Sequence, residues 1–128
     1  MLWRSNKSAS HSGRIGTLIG PGTRIDGKVT FSGGMRVDGT IVGAVTDDGG
    51  EPGTLVVGAQ GSVDGEVRVA RIILDGRIKG EAHARDLIDL RNGARVAGDL
   101  HYGRLEIHAG AAVDGRLVKR NGETPGPE

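Results

Sequence analysis

Val63-Asp64-Gly65-Glu66-Val67 is the stretch that decides the fold, because its pattern, apolar-x-Gly-x-apolar, returns along the whole chain. The other copies are Ile25–Val29, Ile41–Val45, Ile78–Ala82, Val96–Leu100 and Val113–Leu117. Their central glycines are separated by 16, 22, 15, 18 and 17 residues. A unit repeated at so short a period is typical of a solenoid, in which each turn stacks on the one before it.

A second repeat lies directly upstream of the first. Val57–Val63 aligns with Leu90–Val96 and Ile107–Val113, and Ile19–Ile25 is a looser copy. A shorter version replaces it at Val37–Ile41 and Leu74–Ile78. Together the two repeats predict about six coils over residues 15–119. The longest step includes Thr46–Gly53, which predicts a surface loop inserted at a turn.

The residues within each unit favour short β-strands. Apolar and polar residues alternate, as in Leu105-Glu106-Ile107, which places one set of side chains inward and the other outward. Strands of three to five residues are predicted, with Gly and Asn at the corners because both accept a positive φ. A helix is disfavoured, since each interior Gly would cost roughly 1 kcal/mol relative to Ala.

The composition agrees with stacked β-coils. The 128 residues include 24 glycines but one Trp, one Tyr and one Phe, so the apolar residues available for a core are almost wholly Val, Ile, Leu and Ala. A formal net charge of +1 gives no field that would attract nucleic acid, and no nucleic-acid partner is expected. The absence of cysteine excludes disulfides and thiolate metal sites. No apolar run approaches the ~18 residues of a spanning helix, and no signal peptide is evident, which favours the cytoplasm.

Gly20–Val29, Gly58–Val67 and Val37–Val45 make the chain resemble the bactofilin family of bacterial cytoskeletal proteins. The resemblance covers the repeat region and implies an all-β fold, a single-stranded right-handed parallel β-helix (solenoid). It also implies disordered tails at 1–14 and 120–128, and polymerisation without nucleotide or other cofactor. The roles implied are cell shape and local cell-wall synthesis. The implied partners are further copies of the chain, the inner face of the cytoplasmic membrane, and cell-wall hydrolases or membrane morphogenesis proteins.

The two ends of the solenoid are the predicted polymerisation surfaces. An end coil has unpaired N–H and C=O groups and an open apolar section, and no amphipathic helix is predicted to cover either end. End-to-end stacking would therefore bury the apolar residues of the terminal coils. Those residues are Leu18, Ile19, Ile25, Leu105, Ile107, Val113 and Leu117.

The first residues predict a weak membrane contact. Trp3 prefers the bilayer interface, and basic residues prefer anionic lipid. The resemblance implies a membrane-targeting segment at the same place, and many copies in a filament would strengthen a weak contact. The predicted segment comprises Met1, Leu2, Trp3, Arg4 and Lys7.

Two alternatives stay open. A monomeric adaptor would bind partners along the flat sides of the same solenoid. A left-handed β-helix of the acyltransferase kind is the weaker alternative, because its six-residue step through Val57, Val63 and Val69 breaks at Asp75 and the coil steps of 15, 16 and 17 depart from the 18 residues that three such steps require. Such an enzyme needs a general-base histidine, and exposed coil positions are expected for the candidates His83, His101 and His108. The sequence predicts no catalytic residue, cofactor site or metal site.

Overall fold

The computed structural model describes residues 15–48 and 52–119. These residues form ten β-strands, every pair of which is parallel. The tails predicted at 1–14 and 120–128 lie outside the described residues. The strands are β1 (Ile15–Ile19), β2 (Arg24–Phe31), β3 (Gly34–Val37), β4 (Thr40–Asp47), β5 (Thr54–Val57), β6 (Ser62–Leu74), β7 (Arg77–Leu90), β8 (Arg95–Ile107), β9 (Ala112–Asp114) and β10 (Leu117–Lys119).

The pairing confirms a β-solenoid of six coils. We number them along the chain as coil 1 (15–31), coil 2 (34–47), coil 3 (54–69), coil 4 (71–84), coil 5 (87–102) and coil 6 (104–119). Each coil contributes one segment to each of three stacked columns. The first column contains β1, β3 and β5 followed by the ends of β6, β7 and β8. The second begins at Arg24, and the third at Lys28.

The core consists of ladders of aliphatic side chains inside the columns. In the first column Val37, Val57, Leu74 and Leu90 are in register and fully buried. In the second column Ile41, Val63 and Ile78 form the corresponding ladder. Burying a side chain of this size stabilises the fold by roughly 1.5–3 kcal/mol relative to leaving it exposed. Since no coil can cover its own interior, the stability resides in the contacts between coils.

A ladder of glycines forms the corner between the second and third columns. Its members are in register from coil to coil and have φ values between 123° and 153°. A Cβ at any of the last five would collide with the backbone carbonyl of the glycine one coil earlier. The corner therefore requires glycine for its backbone conformation and for its close packing. The ladder is Gly27, Gly43, Gly65, Gly80, Gly98 and Gly115.

The strands are longer than the three to five residues predicted. β6, β7 and β8 have 13, 14 and 13 residues, because hydrogen bonding continues through the glycine corner and across the tight corner that follows. At that second corner Ala70 alone connects the third column to the next coil, and Gly103 does the same later. The predicted strands end at each corner. In the structure parallel pairing continues through a corner wherever neighbouring coils have the same backbone course there.

The connection from β4 to β5 runs through residues 48–53, where the 22-residue step predicted an inserted loop. Residues 49–51 of that loop lie outside the described part of the chain. Asp47, at the start of the predicted loop, is instead the last residue of β4, in register with Phe31 of coil 1.

Candidate assembly ends

Coil 6 leaves the interior of the solenoid open at its C-terminal end. Ile107 is in register with Leu90, yet Ile107 is 52% exposed whereas Leu90 is 0% exposed. Likewise Leu117 is 43% exposed above Leu100, which is 1% exposed. The difference arises because no described strand continues the ladders beyond coil 6.

The four residues predicted as the last apolar section occupy the final rung of the inward ladders. Leu105 and Val113 are half-buried and pack against the core, and Ile107 and Leu117 are exposed. Val118, on the outward side of β10, adds further exposed apolar surface beside them. Their part in polymerisation stays a prediction.

The apolar residues of the N-terminal end are less exposed than those of the C-terminal end. Ile19 is buried in the first rung, and Ile25 is half-buried. Phe31, which the sequence reasoning missed, is also buried there and fills the start of the third column. It is the one Phe of the chain, and it lies six residues after Ile25, so its spacing could have identified it.

Leu18 lies in coil 1 as expected, but it does not form part of the open end. It is in register with Arg36 on the outward side of the first column, and it is 62% exposed. Its exposed side chain therefore belongs to the side of the solenoid, next to the first coil.

Both ends carry strand edges without a strand partner among the described residues. β1 pairs only with β3 and β2 only with β4, so their outer edges are open at the N-terminal end. β9 and β10 each pair only with β8 at the other end. Open edges next to apolar surface are templates for pairing with a further strand.

The sides of the solenoid are covered by ion pairs between alternate residues of one strand. Examples are Arg24–Asp26 at 3.1 Å, Arg36–Asp38 at 2.9 Å and Arg68–Glu66 at 2.6 Å. Alternation brings such pairs to the same face, and the hydrogen bond that Arg36 donates to Asp38 raises the pKa of Arg36. Exposed pairs contribute only about 0–1 kcal/mol each, but they make the sides polar while the C-terminal end is apolar.

One ion pair joins the last two coils. Arg116 Nη2 lies 3.2 Å from Asp99 Oδ2, and the Arg116 N–H donates to Asp99 Oδ1 at 3.3 Å. The side-chain hydrogen bond from Arg116 lowers the pKa of Asp99, and Asp99 in turn raises the pKa of Arg116. Coil 6 is thus held to coil 5 by an exposed charge pair as well as by its ladders.

The titratable side chains on the sides form two small clusters, Glu81-His83-His101 and Asp89-Glu106-His108. His108 is exposed as predicted, whereas His83 and His101 are half-buried because their rings stack on each other. Glu81 is the carboxylate partner of His83, two residues earlier on the same strand at 3.3 Å, and Asp89 of coil 5 is the partner of His108 at 2.9 Å.

A notch of about 350 Å³ lies where the two-residue corner at Asp75 and Gly76 is recessed between longer corners of coils 3 and 5. Its wall contains no histidine or carboxylate. The lining residues are Ala59, Gln60, Gly61, Ser62, Gly76, Arg77, Gly93 and Arg95.

The predicted membrane-targeting residues, Met1, Leu2, Trp3, Arg4 and Lys7, lie outside the described residues. Within 15–48 and 52–119 no helix is long and apolar enough to cross a membrane.

Comparison with known proteins identifies a family for the repeat region. The family model for bactofilins, described as polymer-forming cytoskeletal, matches residues 17–118. Bactofilin BacO of Myxococcus xanthus (strain DK1622) is 28% identical over 101 residues, which cover 79% of this chain and 77% of BacO. Bactofilin BacP of the same strain is 31% identical over 101 residues, covering 79% of this chain and 40% of BacP. No solved structure is significantly similar to this chain.

Proposed function

Because the chain belongs to the bactofilin family of polymer-forming cytoskeletal proteins, we propose that it polymerises by stacking its solenoids end to end, without nucleotide. The observation that carries this proposal is the exposed last rung. Ile107 and Leu117 continue ladders that are fully buried one coil earlier, and a further coil placed above them would bury them in the same way.

Two contributions would drive the stacking. Removing apolar surface from water contributes roughly 25 cal/mol per Å² of area buried. Pairing the open edges of β9 and β10 with a strand of the next subunit would satisfy backbone N–H and C=O groups that otherwise depend on water. On the sides, which carry the ion pairs, the exposed large apolar side chains among the described residues are Leu18 and Val118, whereas Ile107 and Leu117 end inward ladders. Growth from the end would bury the ladder residues, which favours a filament over a globular cluster of subunits.

The filament would lie against the inner face of the cytoplasmic membrane, attached through Met1, Leu2, Trp3, Arg4 and Lys7. A few side chains give a marginal affinity, and display of many copies along a filament raises the effective concentration of the anchor. On the membrane the polymer would organise cell shape and local cell-wall synthesis, with cell-wall hydrolases or membrane morphogenesis proteins as partners.

A structural role, rather than catalysis, is what the family and the site support. Bactofilins are cytoskeletal, and the notch lacks the histidine that an acyltransferase would need. The competing proposal of a monomeric adaptor predicts a protein that remains monomeric at all concentrations.

Electron microscopy and sedimentation of the purified chain test the proposal. Filaments that pellet without added nucleotide are expected for the natural chain. Ile107→Arg should yield folded monomers, since an unpaired charge is costly to bury in the stacked interface. Monomers of the natural chain at every concentration would refute polymerisation and favour the adaptor.

A further inference from the structure

Two carboxylate-x-histidine segments occupy neighbouring coils at the same height of the third column. They are Glu81-Ala82-His83 in coil 4 and Asp99-Leu100-His101 in coil 5. Ala82 and Leu100 are buried, so the flanking acidic residues and histidines face outward. The register pairs Glu81 with Asp99 and His83 with His101, so four potential metal ligands form a compact square on one side of the solenoid.

The side chains of this square are already close together. The rings of His83 and His101 stack with centroids 4.3 Å apart and an angle of 7° between their planes. Glu81 Oε1 lies 3.3 Å from His83 Nε2. One donor atom from each of Glu81, His83 and His101 lies within 4.8 Å of the others.

We propose that Glu81, His83 and His101 form a binding site for a divalent transition-metal ion of the Zn²⁺ class. Two imidazoles and a carboxylate are ligands that such ions prefer. With metal–ligand distances near 2.0–2.1 Å, the ligand atoms of a tetrahedral ion lie about 3.3 Å apart. The separation of the Glu81 and His83 donor atoms already has this value.

His101 completes the set by a rotation of its side chain. Parallel rings direct their nitrogen lone pairs along parallel lines, so the His101 ring must turn about its Cβ–Cγ bond to reach an ion held by Glu81 and His83. Both rings are on the outer side of the column, where this rotation displaces no core residue. Asp99 provides a fourth ligand, through a carboxylate oxygen, if it exchanges its 3.2 Å pair with Arg116 for the metal.

The second cluster is less suited to a cation. Asp89 already accepts from Arg91 at 3.2 Å and contacts His108 at 2.9 Å, so a metal there would compete with a fixed positive charge. At the proposed site Glu81 lies against His83, with which it would share the ion, and Arg116, whose charge also acts on Glu81, is paired with Asp99 outside the three-residue set. This difference favours the pair of coils 4 and 5 and makes His108 a matched control.

Calorimetric titration of the full chain with Zn²⁺ alone, after treatment with a chelator, tests the site. One ion per chain should bind, and His83→Ala, His101→Ala and Glu81→Gln should each weaken binding at least about tenfold. His108→Ala should leave the affinity unchanged within about twofold. The ¹⁵N shifts of the His83 and His101 ring nitrogens should change on saturation, which a purely stacked pair would not show.

Thermal melts in the presence of chelator show whether each variant is folded. Glu81→Gln removes a ligand from an exposed position and leaves the core residues unchanged. The unassembled Ile107→Arg variant should bind Zn²⁺ as the natural chain does, so this test is independent of polymerisation. Absence of binding, or loss of binding in His108→Ala rather than in His83→Ala, would overturn the proposal.

Discussion

Arg85 donates from Nη2 to Asp47 Oδ2 at 2.6 Å and thereby joins the corner after coil 4 to coil 2, across coil 3. Asp47 stands on the inward side of its strand, and its side chain is only 3% exposed. The Gly53 N–H also donates to it at 3.0 Å. A buried carboxylate is therefore held by one guanidinium and by the backbone of the β4–β5 connection.

This pair should make stability depend on acid. Burial alone would raise the pKa of Asp47, but hydrogen bonds from Arg85 and the Gly53 N–H outweigh it and hold the pKa below its ordinary value. A carboxyl with a depressed folded pKa stabilises fully above its unfolded pKa of about 3.9, and this stabilisation is lost as pH falls through the folded pKa. Asp47→Asn should lower the free energy of unfolding by about 1–3 kcal/mol at pH 7. As the pH falls below 4, the free energy of unfolding should decrease less in this variant than in the natural chain. Urea denaturation of both proteins at pH 7 and below pH 4 measures these free energies.

The matched control is the exposed pair of Arg71 and Asp86, whose atoms are 3.0 Å apart. Both side chains are about half-exposed, so Arg71→Ala should change stability by no more than about 0.5 kcal/mol. Equal losses in Arg71→Ala and Asp47→Asn would show that the burial of Asp47 has no energetic consequence.

The glycine ladder should tolerate no side chain at its centre. Gly65 has a φ of 144°, and an added Cβ would collide with the Gly43 carbonyl. Gly65→Ala should lower the free energy of unfolding by about 2–4 kcal/mol, from backbone strain and displacement of the neighbouring coil. Gly20→Ala is the control, since a Cβ there meets nothing within 4 Å, and its effect should stay within about 0.5 kcal/mol. Similar melting temperatures for both variants would contradict this account of the corner.

The ladder and the Arg85–Asp47 pair mark the two limits of what the sequence could predict. The central glycines were predictable because each occurs in the same local pattern, so six copies report one backbone conformation. Arg85 and Asp47 are 38 residues apart, and their meeting depends on the irregular connections at 48–53 and at Arg85–Asp86. Such contacts arise at connections that differ from coil to coil, where a repeating sequence pattern does not predict which residues meet.

The same distinction applies to the site residues. Ile107 and Leu117 follow from the repeat, because they fill inward positions of the sixth coil. His83 faces His101 because Gly80 pairs with Gly98 and each histidine lies three residues after its glycine, so the repeat itself predicts this register. The stacking of the two rings and the approach of Glu81 to His83 are side-chain conformations, which the repeat does not predict. The outward orientation of Leu18 is given by its register with Arg36.

A comparison of Leu117→Arg with Leu18→Arg should separate end stacking from side-by-side assembly. Both replace an exposed leucine, but Leu117 ends an inward ladder and Leu18 lies on the outer side of coil 1. Leu117→Arg should abolish pelleting and filaments seen by electron microscopy, while Leu18→Arg should retain single filaments. The reverse pattern would indicate lateral assembly through the sides. Circular dichroism checks that both variants keep their β content.

Deletion of residues 1–7 should release the filament from anionic lipid without dissolving it. The first fourteen residues contain Trp3 and three basic residues, Arg4, Lys7 and Arg14, with no acidic residue. Each basic residue near an anionic surface contributes about 1 kcal/mol, so binding depends on lipid charge, on salt and on the number of copies displayed. Flotation with vesicles containing phosphatidylserine should recover the natural chain, and it should recover little of the deletion variant.

The unassembled Leu117→Arg variant, with an intact N-terminus, should float weakly, because it lacks multivalency. Undiminished flotation of the deletion would place the lipid contact elsewhere on the solenoid, and strong flotation of Leu117→Arg would show that one anchor suffices.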